Sequence, residues 1–469
     1  MKNLRLIVSI LWLSLAVAVS AATPKYIFYF IGDGMGIGQV QALRTYFKSV
    51  KADTSVVHFY DFPVASFITT HSHNSDVTDS AAAGTALACG SKTCNGMLGV
   101  TADSVPLTSI AKQMKSAGRG VALISSVCID DATPAAFMAS VPSRSQYYDI
   151  ARAGAASRFD FLAGAYFRDP YGVKAKRPGN VFVEYEAAGY SIVRGRNGYD
   201  EAVKSNAKRL LWLDADTTTE NKIGYAIDGD NGDVKLPQMV KSGIDFLYKR
   251  YPKGFFMMAE GGAIDHMGHA NDPAGVLEEM REFDNAVREA YQFYLQHPRE
   301  TLIIVTADHE TGGLGLAVNG IYELNLHLAD CAKMSKSQFG ESLSQVLKAK
   351  GKDASWSDVR DFMAQNLGLG EEIELTAGEE GALMIAFQDM IDNGRKDRKT
   401  LYDSFNQLTD AIYKTYSDKL RMGWSTGGHS GAPVPLFVIG AGAEHFQSQG
   451  WLDNTHLPRI IGKASRVAK

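Results

Sequence analysis

No long basic run interrupts this chain and neither sign of charge dominates it, with 48 Lys+Arg against 52 Asp+Glu for a formal net charge of −4. Electrostatic capture of nucleic acid or of an anionic membrane is therefore a poor starting point, and no nucleic-acid partner is expected. Past the first residues, no apolar segment approaches the ~20 residues that a bilayer-spanning helix requires. Internal repeats and low-complexity linkers are missing as well. The dinucleotide-binding pattern G-x-G-x-x-G fails, because Gly32, Gly34 and Gly36 alternate. No G-x-S-x-G elbow with a histidine supports a serine hydrolase triad. Histidine itself is scarce, at 11 residues, so a gathering of histidines carries weight. What is there is a 469-residue chain of 45% hydrophobic composition, enough to bury the core of an ordinary globular enzyme.

The first residues read as an export signal. Lys2 and Arg5 precede an apolar run from Leu6 to Val19, which closes on the small residues Ser20 and Ala21. That order of basic, apolar and small residues marks a cleavable signal peptide over 1–21, and the run is too short for a membrane anchor. The mature chain, 22–469, is expected in the periplasm or secreted, with no membrane span. Of the four cysteines, Cys89 and Cys94 enclose only Gly90 to Thr93. A turn there would let them pair in an oxidising compartment, and a disulfide is expected. Cys128 follows an apolar strand and reads as a buried hydrophobe. Cys331 has no obvious partner, and spacing alone does not fix the pairing.

Short continuous apolar runs at Tyr26 to Ile31, Val121 to Ser125, Phe255 to Ala259, Leu302 to Ala307 and Leu436 to Ile439 read as strands buried on both faces. Helical patterns at Leu107 to Ser116, Pro237 to Arg250 and Val276 to Leu295 lie between them. This alternation predicts an α/β fold: a mainly parallel central sheet flanked by helices on both faces. Two stretches break it. Residues 166–233, rich in Gly, Asn, Asp and Arg, read as a loop-rich insertion. Residues 321–421 read as a helical insertion, with helices at Ser335 to Lys350, Ser355 to Leu367 and Leu401 to Lys419. Both are expected on the active-site side.

In such sheets functional groups collect at the carboxyl ends of the strands, and five clusters stand there. Ile31-Gly32-Asp33-Gly34-Met35-Gly36 follows the first strand, and alone is an ordinary tight turn. In Val77-Thr78-Asp79-Ser80-Ala81 an Ala-rich helix begins. Asp79 or Ser80 serves equally well as an N-cap, or Ser80 as a nucleophile at a helix end that favours anions. Glu260-Gly261-Gly262-Ala263-Ile264-Asp265-His266-Met267-Gly268-His269 sets Asp265 and His269 four apart, a zinc-ligand spacing on one helical turn. Asp308-His309-Glu310 follows a further strand, and Gly428-His429-Ser430 precedes the last one. Three Asp/His clusters at strand ends, in a chain this poor in histidine, point to metals.

Together these clusters resemble those of the alkaline phosphatases, metal-dependent phosphomonoesterases with an α/β fold, over about Tyr26 to Ile439. The resemblance implies one catalytic domain over 22–469 that hydrolyses phosphate monoesters through a phosphoserine, with two zinc ions and one magnesium ion. Ser80 resembles the nucleophile. Asp265, His269 and His429 resemble the ligands of the first zinc. Asp33, Ser80, Asp308 and His309 resemble those of the second. Asp33, Thr133 and Glu260 resemble those of magnesium. Arg144, in Pro142-Ser143-Arg144, resembles the phosphate clamp, although alone it would read as a surface arginine. A homodimer is a further expectation by resemblance.

The chain departs from the family's usual pairings by combining Asp131 with His266. Asp131 would hydrogen-bond the waters of a hard, oxygen-rich site, which favours magnesium over a third zinc. His266 would reach phosphate through water, with a grip that weakens as it loses its proton. A phosphodiesterase of the same superfamily is the alternative. It is disfavoured because Thr133 and Glu260 supply a third metal site that diesterases usually omit.

Overall fold

The computed structural model describes residues 23–50, 59–204, 206–214, 223–229, 234–447 and 450–467. The expected signal peptide, 1–21, lies outside the described residues. Among them, no helix is long and apolar enough to cross a membrane.

The first apolar run forms β1 (Tyr26–Gly32), every residue of which is buried. Its alternate side chains serve opposite faces. Phe28 and Phe30 meet Phe293 and Phe283 of the helix Pro273–Gln296 at centroid distances of 5.7 and 6.0 Å. Tyr29, on the other face, meets Phe137 of the helix Ala132–Met138 at 6.1 Å. Each such burial contributes about 1.5–3 kcal/mol, and two-sided burial is why the run is continuous rather than alternating.

The remaining principal strands are β2 (Val64–Thr69), β3 (Gly120–Ser125), β4 (Phe161–Gly164), β5 (Tyr190–Arg194), β6 (Arg209–Leu213), β7 (Phe255–Gly261) and β8 (Thr301–Ala307). In the sheet the order is Leu452–Asp453, β2, Val434–Gly440, β8, β1, β7, β3, β4, β6, β5. From β8 to β5 every neighbouring pair is parallel. Val434–Gly440 runs antiparallel to both β8 and β2. The architecture is thus a large, mostly parallel sheet with helices around it. The parallel strands β1, β7 and β8 end side by side, with Gly32 opposite Gly261 on one flank and Ala307 on the other.

Several expectations need correction. Residues 166–233 are not merely loop: they carry the helices Val181–Ala187 and Gly195–Lys204 and supply β5 and β6. β5 has one strand neighbour and only Tyr190 fully buried, so a polar sequence is compatible with its edge position. In 321–421 the helices Lys336–Lys350 and Trp356–Leu367 stand where expected. The last one starts later, as Gln407–Leu420, because residues 397–406 form a hairpin of Asp397–Lys399 with Ser404–Asn406. An unanticipated helix, Ala377–Asn393, precedes it. The Cys89–Cys94 disulfide is not formed: all four cysteines are free thiols. Cys89 ends the helix Ser80–Cys89, and its Sγ lies 4.0 Å from the Ala136 carbonyl, against the protein interior.

Candidate active site

Asp33 follows β1, Glu260 lies within the end of β7, and Asp308 and His309 follow β8. The helix Ala263–Ala270 comes two residues after β7 and carries Asp265 and His269 on one turn. His429 arrives from the far end of the chain. It pairs with Thr311 in a two-residue antiparallel ladder, which sets the His309 and His429 rings face to face at 3.6 Å. Gly34, at φ +72°, makes this convergence possible: a Cβ there would stand 2.8 Å from Thr311 Oγ1 and 2.9 Å from Asp265 Cα.

Two groups of ligating atoms result. His269 Nε2 lies 3.4 Å from Asp265 Oδ2 and 3.2 Å from His429 Nε2, and His429 Nε2 lies 3.7 Å from Asp265 Oδ1. His309 Nε2 lies 3.3 Å from Asp33 Oδ1, 3.2 Å from Asp308 Oδ2 and 3.2 Å from Ser80 Oγ. The groups adjoin through His309, since its ligand atom also falls within 4.8 Å of those of Asp265 and His429.

Hydrogen bonding shows what these atoms need. His269 Nδ1 lies 2.7 Å from the Gly427 carbonyl, and His429 Nδ1 lies 2.8 Å from the Thr78 carbonyl. A carbonyl only accepts, so each Nδ1 carries the proton and each Nε2 presents a bare lone pair. Two bare lone pairs facing each other call for a cation between them. Asp33 Oδ1, Asp265 Oδ2, Asp308 Oδ2 and Thr133 Oγ1 are all buried without a hydrogen-bond partner among the described residues. Asp308 spends its other oxygen on the amides of Gly34 and His309, at 3.2 and 2.9 Å. Orphaned oxygens of this kind are costly unless something positive meets them.

Electrostatics agrees. Burial first, then Asp308, Asp265, Glu260 and Asp131, push the Asp33 carboxyl well above its ordinary range. Burial, with Asp265 adding, raises Asp308 to about 7. Burial raises Glu260 to about 8, opposed by its hydrogen bond with Ser125 and reinforced by Asp131 and Asp308. Burial also acts on Asp265, but His269, His429 and His309 outweigh it and hold that carboxyl well below its usual value. So many carboxylates in one buried pocket ionise together only beside cations. The donor set, oxygens with imidazole nitrogens, fits zinc, and the oxygens of Asp33, Thr133 and Glu260 fit magnesium.

Ser80 opens the helix Ser80–Cys89, with Asp79 as its N-cap accepting from the Ala82 amide at 2.9 Å. Asp79 is thus the cap, and Ser80 lies beside the ligand cluster. Arg144 donates to Asp79 at 3.1 Å and to Asp131 at 3.4 Å. Its backbone amide is tied to the Gly96 carbonyl at 2.7 Å. Asp131 also accepts from Arg168 at 2.5 Å, so two arginines share one carboxylate. His266 is 2% exposed, with the Tyr225 hydroxyl 3.3 Å from Nδ1 and the Tyr402 ring stacked on it at 3.6 Å.

The sequence reading missed Arg168, Tyr225 and Tyr402. Each stands alone in an irregular stretch and belongs to no pattern. Only the excess of arginine and aromatic residues in a segment read as loop could have drawn attention to two of them.

Comparison with known proteins points one way. The family model described as alkaline phosphatase matches residues 24–163 and 160–467. The chain is similar to alkaline phosphatase 4 of Bacillus subtilis, at 29% identity over 461 residues, 96% of this chain and 90% of that one. Alkaline phosphatase 3 of the same organism is 30% identical over 458 residues, 94% of this chain and 88% of its own. Among solved structures, a cold-active alkaline phosphatase from a psychrophilic Shewanella species matches with TM-score 0.76 and 28% identity, over 95% of this chain and all (100%) of that one. The Thermus thermophilus alkaline phosphatase matches with TM-score 0.76 and 26% identity, over 96% and 94%.

Proposed function

Since the chain belongs to the alkaline phosphatase family and is a phosphate monoester hydrolase, we propose that it works through a phosphoserine formed on Ser80. The single observation that supports this reading best is the set of bare histidine nitrogens and orphaned carboxylate oxygens gathered around the Ser80 hydroxyl.

In this reading Asp265, His269 and His429 hold one zinc ion, and Asp33, Ser80, Asp308 and His309 hold a second. Asp33, Thr133 and Glu260 hold magnesium. When bound, the three cations neutralise charge on the phosphoryl oxygens and make oxygen nucleophiles easier to ionise.

The chain's own residues do the rest. The amides at the start of the helix Ser80–Cys89 and its dipole favour the phosphoryl dianion beside Ser80. Arg144 grips two non-bridging oxygens, a bidentate contact that lysine does not reproduce. Burial works against the Arg144 charge, but the carboxylates of Asp131 and Asp79 outweigh it and keep the guanidinium protonated. Ser80 Oγ attacks phosphorus in line, the Ser–O–P bond forms and the ester P–O bond breaks, releasing the alcohol. Water then attacks from the opposite side and frees Ser80 and inorganic phosphate. Two inversions give net retention at phosphorus.

Asp131, fastened to two arginines, acts from behind Arg144 and beside the magnesium ligands, and His266 flanks the first zinc group. Residues 22–469 act as one exported catalytic unit, periplasmic or secreted, after loss of 1–21, and a homodimer is the proposed assembly. Acid-quenched enzyme, incubated with a monoester and weighed by intact mass spectrometry, should carry one added phosphoryl group. Ser80→Ala should lose that adduct together with nearly all turnover. A Ser80→Ala enzyme that keeps most of its rate on monoesters would sink the assignment.

A further inference from the structure

We propose that Thr311 is a positioning residue shared by the two zinc sites, its hydroxyl accepting from His309 Nδ1 and donating to Asp265 Oδ1. The inference rests on the reading of the two ligand groups as zinc sites. His269 and His429 each spend Nδ1 on a backbone carbonyl, at 2.7 and 2.8 Å. His309 meets a side chain there instead, with Thr311 Oγ1 3.2 Å from its Nδ1. The same hydroxyl bonds Asp265 Oδ1.

A hydroxyl has one proton to give, and an ionised carboxylate only accepts. The Thr311 proton therefore goes to Asp265 Oδ1, and toward the imidazole its oxygen is left to accept. His309 Nδ1 then carries the ring proton. Its Nε2 presents a lone pair among Asp33 Oδ1, Asp308 Oδ2 and Ser80 Oγ, at 3.3, 3.2 and 3.2 Å. A neutral ring fixed in that tautomer is what a cation requires of a histidine ligand. For Asp265 the bond has the matching effect. It occupies Oδ1 and leaves Oδ2, the oxygen without a hydrogen-bond partner, facing His269 Nε2 at 3.4 Å. One hydroxyl thus sets a ligand atom in each group.

Thr311 is itself held on every side. It is fully buried, and it pairs with His429 across the short ladder. Its amide donates to the Gly34 carbonyl at 3.1 Å, and its carbonyl accepts from Gln39 Nε2 at 2.8 Å. A Cβ on Gly34 would stand 2.8 Å from Thr311 Oγ1, and one on Gly268 would stand 2.9 Å from its Cγ2. Glycines on both sides therefore leave room for this side chain and little else. A β-branched residue so enclosed keeps one χ1, so the hydroxyl cannot turn away from Asp265 and His309.

Zinc titrated into chelator-stripped protein against a competing chromophoric chelator reads both sites without any substrate. Thr311→Val keeps the shape and removes both bonds. It should bind each of the two zinc equivalents about tenfold or more weakly, the usual cost of losing a partner behind a metal ligand. Thr311→Ser and Thr311→Ala lack the same methyl group and differ only in the hydroxyl. Thr311→Ser should therefore hold zinc more tightly than Thr311→Ala by a similar factor, and this pair decides the matter if Thr311→Val does not fold. A Thr311→Val protein with wild-type zinc affinity overturns the proposal, as do Thr311→Ser and Thr311→Ala proteins that bind zinc alike. Weakening confined to one of the two equivalents overturns the sharing. Wild-type protein that takes up no zinc overturns the underlying reading instead, so the two failures are told apart.

Discussion

At the scale of single residues, the proposed nucleophile Ser80 and the proposed clamp Arg144 are tied together through two helix caps. Asp79 caps the helix that begins at Ser80 and accepts from Arg144, while Asp131 caps the helix Ala132–Met138 and accepts from the other arm of the same guanidinium. Lysine at 144 keeps the charge but reaches one carboxylate at a time. Arg144→Lys should therefore raise the inhibition constant of inorganic phosphate by roughly tenfold or more, about 1.4 kcal/mol or above, with a smaller effect on Tm. Unchanged inhibition by phosphate would place this arginine outside the site. The residues that sequence singled out do converge in space, because Asp33, Asp308 and His309 directly follow apolar runs and so inherit the position of a strand end. Arg168 and Tyr402 had no such neighbour. Their places are set by tertiary packing of the 166–233 and 321–421 segments, and nothing local in the chain announces it.

At the scale of elements, the 321–421 segment is pinned to the helix Ala263–Ala270 by a partly buried charge cluster. Lys336 Nζ donates to Asp410 at 2.8 Å and to the Ala270 carbonyl at 2.8 Å, and Arg398 forks onto the same aspartate. Asp410→Asn removes the one carboxylate that both cations share. It should cost about 2 kcal/mol, seen as a Tm lower by a few degrees, with Lys336 and Arg398 left facing a neutral amide. Loss of stability no larger than for a surface substitution would mean that the cluster is not what holds the segment. Burial lowers Lys336 to about 8 against the opposing pull of Asp410. Its folded value then lies below the unfolded one, so its charge penalises the fold below about pH 8, and that penalty lifts as pH rises toward 10.5. Relative to Lys336→Met, the wild-type Tm should climb across this window, whereas parallel curves would refute the shift. The strands of the sheet's centre were legible because both their faces are apolar. β5 was not, since its edge position lets it stay polar, nor was β6, a buried apolar run of only five residues set between β4 and β5 in an otherwise polar stretch; the hairpin at 397–406 was hidden because its helix-like neighbours carry the stronger pattern.

For the whole molecule, the mostly parallel sheet followed from the alternation of apolar runs and helical patterns. The reversed direction of Val434–Gly440 did not, because a continuous apolar strand reads alike both ways. Its reversal has a use: His429 sits before that strand and still reaches the edge where the parallel strands end. Removing metal should test the molecule as a unit. Dialysis against a chelator should abolish monoester hydrolysis and lower Tm, and restoring zinc and magnesium should recover both, by about 4 kcal/mol where free metal is a thousandfold above its Kd. A stripped protein with full activity would contradict the metal assignment outright. The wide spread of the proposed ligands along the chain also governs timing. Asp33 stands near the start and His429 near the end, and between them the sheet must close before any pair of clusters meets. An incomplete or still-extended chain thus has separate carboxylates and imidazoles but no cage. If the chain is exported as proposed, cation capture becomes the last event of maturation, after translocation and folding, and the proposed zinc and magnesium would be drawn from the compartment of arrival rather than the one of synthesis.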